Sequence, residues 1–468
     1  MKRVFSSEVS QYIGSEVTVA GWVATVRSHG KLLFIDLRDM MGQVQIVFGP
    51  KHSKDIFDLA NTMRPEWVIQ VVGHVQKRPE GMENPGIPTG MLEIAAGELQ
   101  VLSKANTLPF AVDTSGYEVS EEKRLKYRYL DLRRDRLHRN LRVRQQVISH
   151  MREFLQNENF IEVETPILTK STPEGARDFL VPSRLQAGKF YALPQSPQQY
   201  KQLLQVAGVE RYFQIARCFR DEDPRADRQA EFTQLDIEMS FVGQDDILGL
   251  IERLYRGIVQ KLFPEKRFTQ LPFPRLRYQE AMEKYNSDKP DLRKDKNDPN
   301  ELGFAFVVDF PMFEWKESEN RWDAMHHPFT RPQTEEINEL KKDPGKALAF
   351  QYDFVLNGYE IGGGSLRSFR PEVLEAVFEI MGHEKPEIRD RFGHLLEAFS
   401  YGVPPHGVIA PGIDRFLAIV LNEPNIREVM AFPKTGDSRD LMMRAPSGVS
   451  DEQLKEVHLH PEKKAQKK

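Results

Sequence analysis

The sequence predicts an α+β protein, with a small closed β-barrel at the N-terminus and a larger domain built on an antiparallel sheet flanked by helices. Three observations predict it. Short strand-like runs separated by turns fill residues 1–104, a long amphipathic helix follows near 137–155, and a charged loop at 219–231 is held between two alternating strands. Length agrees, because 468 residues exceed what one hydrophobic core organises.

The N-terminal runs are 17–23, 32–37, 44–48, 68–75 and 92–102, a set that suits a barrel of the OB type. In the second run Leu33, Ile35 and Leu37 share one face and leave Phe34 on the other. In the third, Val44, Ile46 and Phe48 point inward while Gln43 and Gln45 point outward. An outward aromatic beside amides, with Arg27 and His29 in the preceding turn, reads as a stacking platform for unpaired bases. The alternative is an aromatic covered by another part of the chain.

Residues 105–135 carry Pro, Gly and many charges without a clean period and read as a linker or hinge. The helix after them places Leu137, Leu141, Ile148, Met151 and Leu155 on one stripe. It leads into 161–166 (IEVETP), where Pro166 cannot donate to a ladder and so marks a sheet edge or a break. Such an edge beside an amphipathic helix serves either as a dimer seam or as an ordinary edge. From about 270 to 302 the sequence is polar and offers nothing to a core. Strands resume at 304–310, and Asn357-Gly358 inside 352–361 is the strongest hairpin signal in the chain. The closing HLHPEKKAQKK reads as a disordered basic tail.

Composition narrows the function. With 65 basic and 69 acidic residues the net charge is −4, so no global basic field exists and any nucleic-acid contact must be local. Cys218 is the single cysteine, which excludes intrachain disulfides and a cysteine zinc site and argues for a reducing compartment. MKRVFSSEVS has no apolar signal core and no run is long enough to span a bilayer, so the expected location is the cytoplasm.

The chemistry gathers around the charged loop. Before it, Phe213 and Ile215 alternate with Tyr212, Gln214 and Ala216. After it, Phe232, Gln234, Asp236 and Glu238 share one face while Thr233, Leu235, Ile237 and Met239 share the other. Two such strands offer a polar face above an apolar one, a floor for a small polar ligand; an exposed hairpin with a solvated loop is the plainer reading. In the hairpin, a two-residue turn pairs Leu356 with Tyr359 and Val355 with Glu360, leaving Asp353 diagonal to Glu360. Two carboxylates on one face call for a cation, and magnesium with phosphate oxygens is the natural occupant. Gly362, Gly363 and Gly364 just beyond permit close backbone approach. No GxxxxGK[ST] motif is present, so phosphate must be held by arginines, of which Arg220 and Arg415 are the candidates, with Phe232 as an aromatic face. Together these residues specify ATP bent over an antiparallel sheet without a glycine-rich loop.

These features resemble the class II aminoacyl-tRNA synthetases. The helix, strand and Pro166 are similar to motif 1, FRDEDPRADRQAEFTQLD (219–236) to motif 2 and GIDRF (412–416) to motif 3. Within the class, the N-terminal barrel with TPEGARDF (172–179), QSPQQYKQ (195–202), MHHPFT (325–330) and GYEIGGGSLR (358–367) resembles the bacterial-type aspartyl enzymes over nearly the whole chain. The resemblance implies an OB anticodon domain at 1–104, a hinge at 105–135, a catalytic domain at 136–445 and a C-terminal extension at 446–468.

It also implies roles. Aspartate would be bound by Glu174 in a mobile loop, Gln198, Lys201, Arg220, Asp236, His326 and Arg367, with His326 the nearer contact of the pair His326-His327. ATP would meet Arg220, Asp221, Glu222, Gln229, Phe232 and Glu360, and Gly412, Ile413, Asp414 and Arg415 of motif 3. Asp353 and Glu360 would hold Mg2+; Arg220, Arg415 and Glu360 form the catalytic set. Arg27, Phe34 and Gln45 would read the anticodon. His29 and Gly81 resemble members that charge both tRNA(Asp) and tRNA(Asn). The implied reaction is formation of aspartyl-adenylate from L-aspartate and ATP, then acyl transfer to the tRNA 3′ end, by a homodimer with no membrane contact. The alternatives are a paralogue adenylating another amino acid or using a non-tRNA acceptor, and an RNA-binding regulator that has lost catalysis.

Two departures from the family pattern stand out. An inserted domain of roughly a hundred residues is expected between motifs 2 and 3, but only a short loop near 290–303 occupies its place. Pro224, Ala230 and Pro411 also differ, which implies altered contact with the acceptor stem.

Overall fold

The computed structural model describes residues 2–49, 54–171, 176–222 and 228–460. The chain divides into two compact units, Met1–Val119 with Arg133–His138, and Ser120–Leu132 with Arg139–Lys468.

In the first unit five strands close a barrel in the order Glu16–His29, Leu32–Arg38, Gln43–Phe48, Leu92–Ser103, Val68–Lys77. Alternation sets its inside. Val17, Val19, Leu33, Ile35, Leu37, Val44 and Ile46 are buried together, and the turn of 3-10 helix at Ser6–Tyr12 adds Val9 to the same core. Arg27 and His29 belong to the first strand rather than to a turn. Their cross-strand partners are Phe34 and Leu32.

The second unit holds an eight-stranded sheet ordered Arg275–Arg277, Phe304–Val308, Gln351–Leu356, Tyr359–Leu366, His406–Pro411, Glu231–Ser240, Arg211–Phe219, Ile161–Glu162. The six central strands are antiparallel, as expected, but each edge strand is parallel to its neighbour, so the sheet is mixed. One face is apolar. Leu235, Ile237, Phe306, Phe354 and Ile409 pack there against Ile251, Leu254, Tyr255 and Ile258 of the helix Gln244–Leu262 and against Val147, Met151 and Leu155 of Asp135–Asn157.

Two stretches differ from expectation. Within 105–135, read as linker, Glu121–Lys126 and Arg128–Asp131 are helical. They contribute a buried ion cluster in which Asp131 pairs with Arg124 at 3.0 Å and Arg128 at 2.8 Å, and Arg124 reaches Glu428 at 2.6 Å. Charge density hid this packing, because the cluster is completed only by Glu428, 304 positions from Arg124. The polar stretch 270–302 contains the helix Tyr278–Tyr285, and Phe273 and Ala281 are buried in core clusters. Where the inserted domain was expected, Glu301 ties the loop down by accepting from the backbone N–H groups of Lys294 and Asp295 and from the Thr269 hydroxyl, each at 3.0 Å.

Candidate active site

The other face of the sheet carries the polar residues. Above it lies the helix Gln198–Val206, whose buried positions are Gln198, Gln199, Lys201, Gln202 and Gln205; all but Gln199 form an i, i+3, i+4, i+7 stripe of polar side chains turned inward. That inversion costs stability unless each polar group finds a partner. Lys201 is 1% exposed and its Nζ lies 2.6 Å from Asp236 Oδ1 and 3.6 Å from Glu238. Burial pushes both carboxyls above their ordinary range, and Lys201 pulls them back. Asp236 Oδ2 and both Glu238 oxygens have no hydrogen-bond partner among the described residues.

A cavity of about 390 Å³ opens over this floor. Gln198, Lys201, Asp236 and Arg367 line one part; Arg220, Glu222, Gln229, Phe232, Glu360, Gly412 and Arg415 line another. Positions spread across more than two hundred residues thus converge on one volume. The Arg220 guanidinium lies 5.1 Å from the Phe232 ring centroid. Arg415 donates to the backbone carbonyl of Glu360. Gln229 accepts from the Lys434 backbone N–H at 2.8 Å and donates to its carbonyl at 3.2 Å, bracing the segment around Lys434.

Asp353 and Glu360 flank one edge of the cavity. The turn is as the sequence predicts, with φ of 52° at Asn357 and 85° at Gly358, and Val355 faces Glu360. A bulge then moves Asp353 opposite Gly363. A Cβ on Gly363 would lie 3.2 Å from Asp353 Oδ1 and 3.5 Å from Glu360 Oε1, so the missing side chain leaves a gap between two carboxylates. That gap fits a small cation. Among the described residues no three His, Cys, Asp or Glu side chains are grouped to hold a metal, so a cation there would need oxygens from a ligand. The neighbouring glycines answer to the sheet as well, since a Cβ on Gly362 would meet the Pro411 backbone at 2.7 Å and one on Gly364 the Val408 carbonyl at 2.1 Å.

His326 and His327 both line the cavity, and burial keeps both toward the neutral form. His327 Nδ1 accepts from the Phe329 backbone N–H at 3.2 Å, so its proton sits on Nε2, which has no partner among the described residues. His326 packs edge-on against Phe310. Of the two, His326, the ring expected to meet the ligand, is the more exposed.

Three expected ligand residues are placed otherwise. Ile413 is fully buried in the apolar core at the start of the helix Ile413–Val420. Asp221 is exposed, does not line the cavity, and its backbone bridges to Arg177. Asp414 borders the cavity, but its oxygens are engaged by Arg144 at 2.5 Å and the Thr233 N–H at 2.9 Å. Glu174, Pro224 and Arg225 and the basic tail from 461 lie outside the described residues. Sequence reasoning missed Gln202, Glu238 and His406, all buried under the cavity. The even-numbered face of 232–238 contained the signal for Glu238.

On the barrel, Arg27 is exposed and paired with Asp36 at 2.6 Å, beside a half-buried Phe34. Gln45 is 7% exposed; it donates to Glu93 at 2.9 Å and accepts from Arg27 at 3.4 Å, so it braces the outer face more than it projects from it. His29 is exposed at the strand end. Gly81 has φ of 79°, a conformation that by itself favours glycine.

Residues 120–436 match the class II tRNA synthetases (D, K and N), and residues 17–102 match the OB-fold nucleic acid binding domain. The chain belongs to the class II tRNA synthetase family. It is 41% identical over 580 residues to an aspartate–tRNA(Asp/Asn) ligase of Dehalococcoides mccartyi, covering 96% of this chain and 97% of that one. It is 43% identical over 570 residues to a ligase of the same description from Rubrobacter xylanophilus, covering 96% and 94%. Both alignments are longer than the 468 residues of this chain, so both relatives contain sequence that it lacks. Among solved structures, asparaginyl-tRNA synthetase from Pyrococcus horikoshii complexed with asparaginyl-adenylate superposes with a TM-score of 0.75 at 25% identity, covering 93% of this chain and 98% of that one.

Proposed function

We propose that this chain is an aspartate–tRNA ligase that forms aspartyl-adenylate from L-aspartate and ATP and transfers the aspartyl group to the 3′ end of tRNA(Asp). One observation carries the choice of amino acid. Two buried cations, Lys201 and Arg367, stand on the floor of a cavity whose other end holds Arg220, Phe232 and Arg415. A lysine and an arginine fork recognise a side-chain carboxylate and disfavour a neutral amide.

Asp236 and Gln198 would meet the substrate ammonium, with Glu174 closing over it. The substrate α-carboxylate is ionised near neutral pH, so its attack on the α-phosphorus needs no general base. Pyrophosphate leaves as the new acyl–phosphate bond forms. Arg220 holds the α-phosphate, Phe232 and Arg415 hold adenine between them, and Glu222 and Gln229 border the base and ribose. Catalysis is alignment plus neutralisation of phosphate charge. Asp353 and Glu360 would hold Mg2+, which neutralises phosphate oxygens when bound. In the second step a hydroxyl of the tRNA terminal adenosine attacks the acyl carbon and AMP leaves.

The outer barrel face with Arg27, Phe34 and Gln45 reads the anticodon, within a 1–104 anticodon domain joined by 105–135 to a catalytic domain at 136–445. His29 and Gly81, together with the names of the relatives, support charging of tRNA(Asn) as well. Exposed Ile161 on the edge strand Ile161–Glu162, with exposed Ile167 and Leu168 a few residues beyond it, supports a homodimer. No helix among the described residues is long and apolar enough to cross a membrane, and the lone Cys218 supports a cytoplasmic location.

The deciding experiment is exchange of labelled pyrophosphate into ATP, driven by aspartate, with asparagine and lysine as controls. Exchange with aspartate alone is expected, and none with aspartate would refute the assignment. Charging of purified tRNA(Asn) with labelled aspartate tests the second acceptor, where a background rate would sink it.

A further inference from the structure

A continuous line of hydrogen bonds runs from the cavity floor into the core. Arg367 Nη2 donates to Gln198 Oε1 at 2.6 Å, and Gln198 Nε2 donates to Gln202 Oε1 at 3.0 Å. Gln202 Nε2 then lies 3.1 Å from His406 Nε2, and His406 Nδ1 lies 2.8 Å from the Pro404 carbonyl. Only one assignment of protons satisfies every link. The Pro404 carbonyl is an acceptor alone, so His406 carries its proton on Nδ1 and presents a lone pair at Nε2. Gln202 must donate to that lone pair, which turns its Oε1 toward Gln198 and in turn aims Gln198 Oε1 at Arg367. Reversing either amide would set two donors or two acceptors against each other in a buried site. The His406 backbone carbonyl also accepts from the Arg367 N–H at 2.9 Å, so one residue holds the Arg367 backbone directly and reaches its guanidinium through two amides.

We propose that His406, acting through Gln202 and Gln198, is the positioning residue that fixes the Arg367 guanidinium for the side-chain carboxylate of the amino acid. None of the aspartate, ATP or metal roles above includes His406 or Gln202. The inference rests on the aspartate reading of the cavity. Its consequence is that selectivity between a carboxylate and an amide is set partly beneath the pocket, by a histidine that touches no substrate.

The test is steady-state pyrophosphate exchange by the full chain in wild-type, His406→Leu, His406→Gln and Gln202→Leu forms, with thermal melts of each. His406→Leu is expected to raise KM for aspartate by about 10- to 100-fold, the scale of a lost hydrogen bond to a charged group. The expected change in kcat and in KM for ATP is less than about three-fold, because groups at the nucleotide end keep their contacts. The preference for aspartate over asparagine should shrink. His406→Gln, whose Oε1 can accept from Gln202, should restore most of the aspartate KM. The double variant His406→Leu/Gln202→Leu should be no worse than either single one, as members of one chain are non-additive. An unchanged aspartate KM in His406→Leu, or equal losses in kcat and both KM values with a lowered melting temperature, overturns the relay while leaving the aspartate assignment intact. A wild-type protein without aspartate-dependent exchange overturns both.

Discussion

The Arg220 guanidinium stands over the ring of Phe232, 5.1 Å from its centroid. These are the two residues proposed for the α-phosphate and for adenine, and on that proposal ATP would replace this contact within the protein by one to each residue. Arg220→Lys keeps the charge but loses the planar fork, and kcat for pyrophosphate exchange is expected to fall by about 100-fold. Phe232→Leu keeps apolar bulk but loses the flat face, and KM for ATP should rise about 3- to 10-fold with little change in KM for aspartate. Equal effects of Phe232→Leu on both substrates would remove the ring from the adenine site.

Asp353 and Glu360 face the same gap beside Gly363, and burial, with Glu360 close by, holds the Asp353 carboxyl well above the ordinary carboxylate range. A carboxyl with a raised folded pKa favours the fold while protonated, and this contribution is lost as pH rises through the folded value. Asp353→Asn removes that loss and still accepts from Gln351, whose Nε2 now lies 3.0 Å from Asp353 Oδ1. In EDTA at neutral pH the variant should therefore be more stable than wild type by about 1 kcal/mol or more. With magnesium and ATP the order should reverse in activity, and the magnesium concentration for half-maximal exchange should increase. Melting curves in EDTA that show Asp353→Asn to be the less stable form would count against the cation site.

Asp414 lies in the motif expected to bind ATP, yet Arg144 and the Thr233 N–H hold its two oxygens. Both partners are donors, so Asp414→Asn must turn an NH2 toward one of them. The expected cost is about 3 kcal/mol of stability, as for a buried ion pair with one partner lost. KM for ATP should stay unchanged at temperatures where the variant is folded. A large rise in that KM with an unchanged denaturation midpoint would return Asp414 to the nucleotide site.

Period-two alternation made the floor of the site legible in the sequence, because Phe232, Gln234 and Asp236 line the cavity while Leu235 and Ile237 enter the core. The hairpin turn was legible for the same local reason. The bulge that sets Asp353 against Gly363 was not, since a register shift depends on the neighbouring strand as much as on its own residues. Ile413 shows a different limit: it stands between residues that border the cavity, but the first turn of its helix rotates it into the core. Gln202 and His406 are separated by 204 positions, and nothing in either local pattern indicates that they meet. Buried polar pairs of this kind are specified by the tertiary fold alone.

The same pairing gives stability a pH signature. Burial, outweighing the raising effect of the Pro404 carbonyl and aided by Arg367 and Lys201, pushes the His406 imidazole down from 6.5 to about 4; Glu238 stands 3.8 Å away, and Gln202 requires a lone pair at Nε2. A histidine with a depressed folded pKa supports the fold in full above its unfolded value near 6.5, and the support is lost as pH falls toward about 4. His406→Gln has no such titration. The stability difference, wild type minus His406→Gln, should therefore shrink by about 1.4 kcal/mol for each pH unit descended through that window. Urea denaturation midpoints of both proteins at stepped pH measure it. Subtracting the variant removes the opposite contributions of Asp236 and Glu238, whose raised values act on both proteins alike. A difference that stays flat across the window would mean that protonated His406 is tolerated in the fold, and that the lone pair facing Gln202 is not what the core is built to keep.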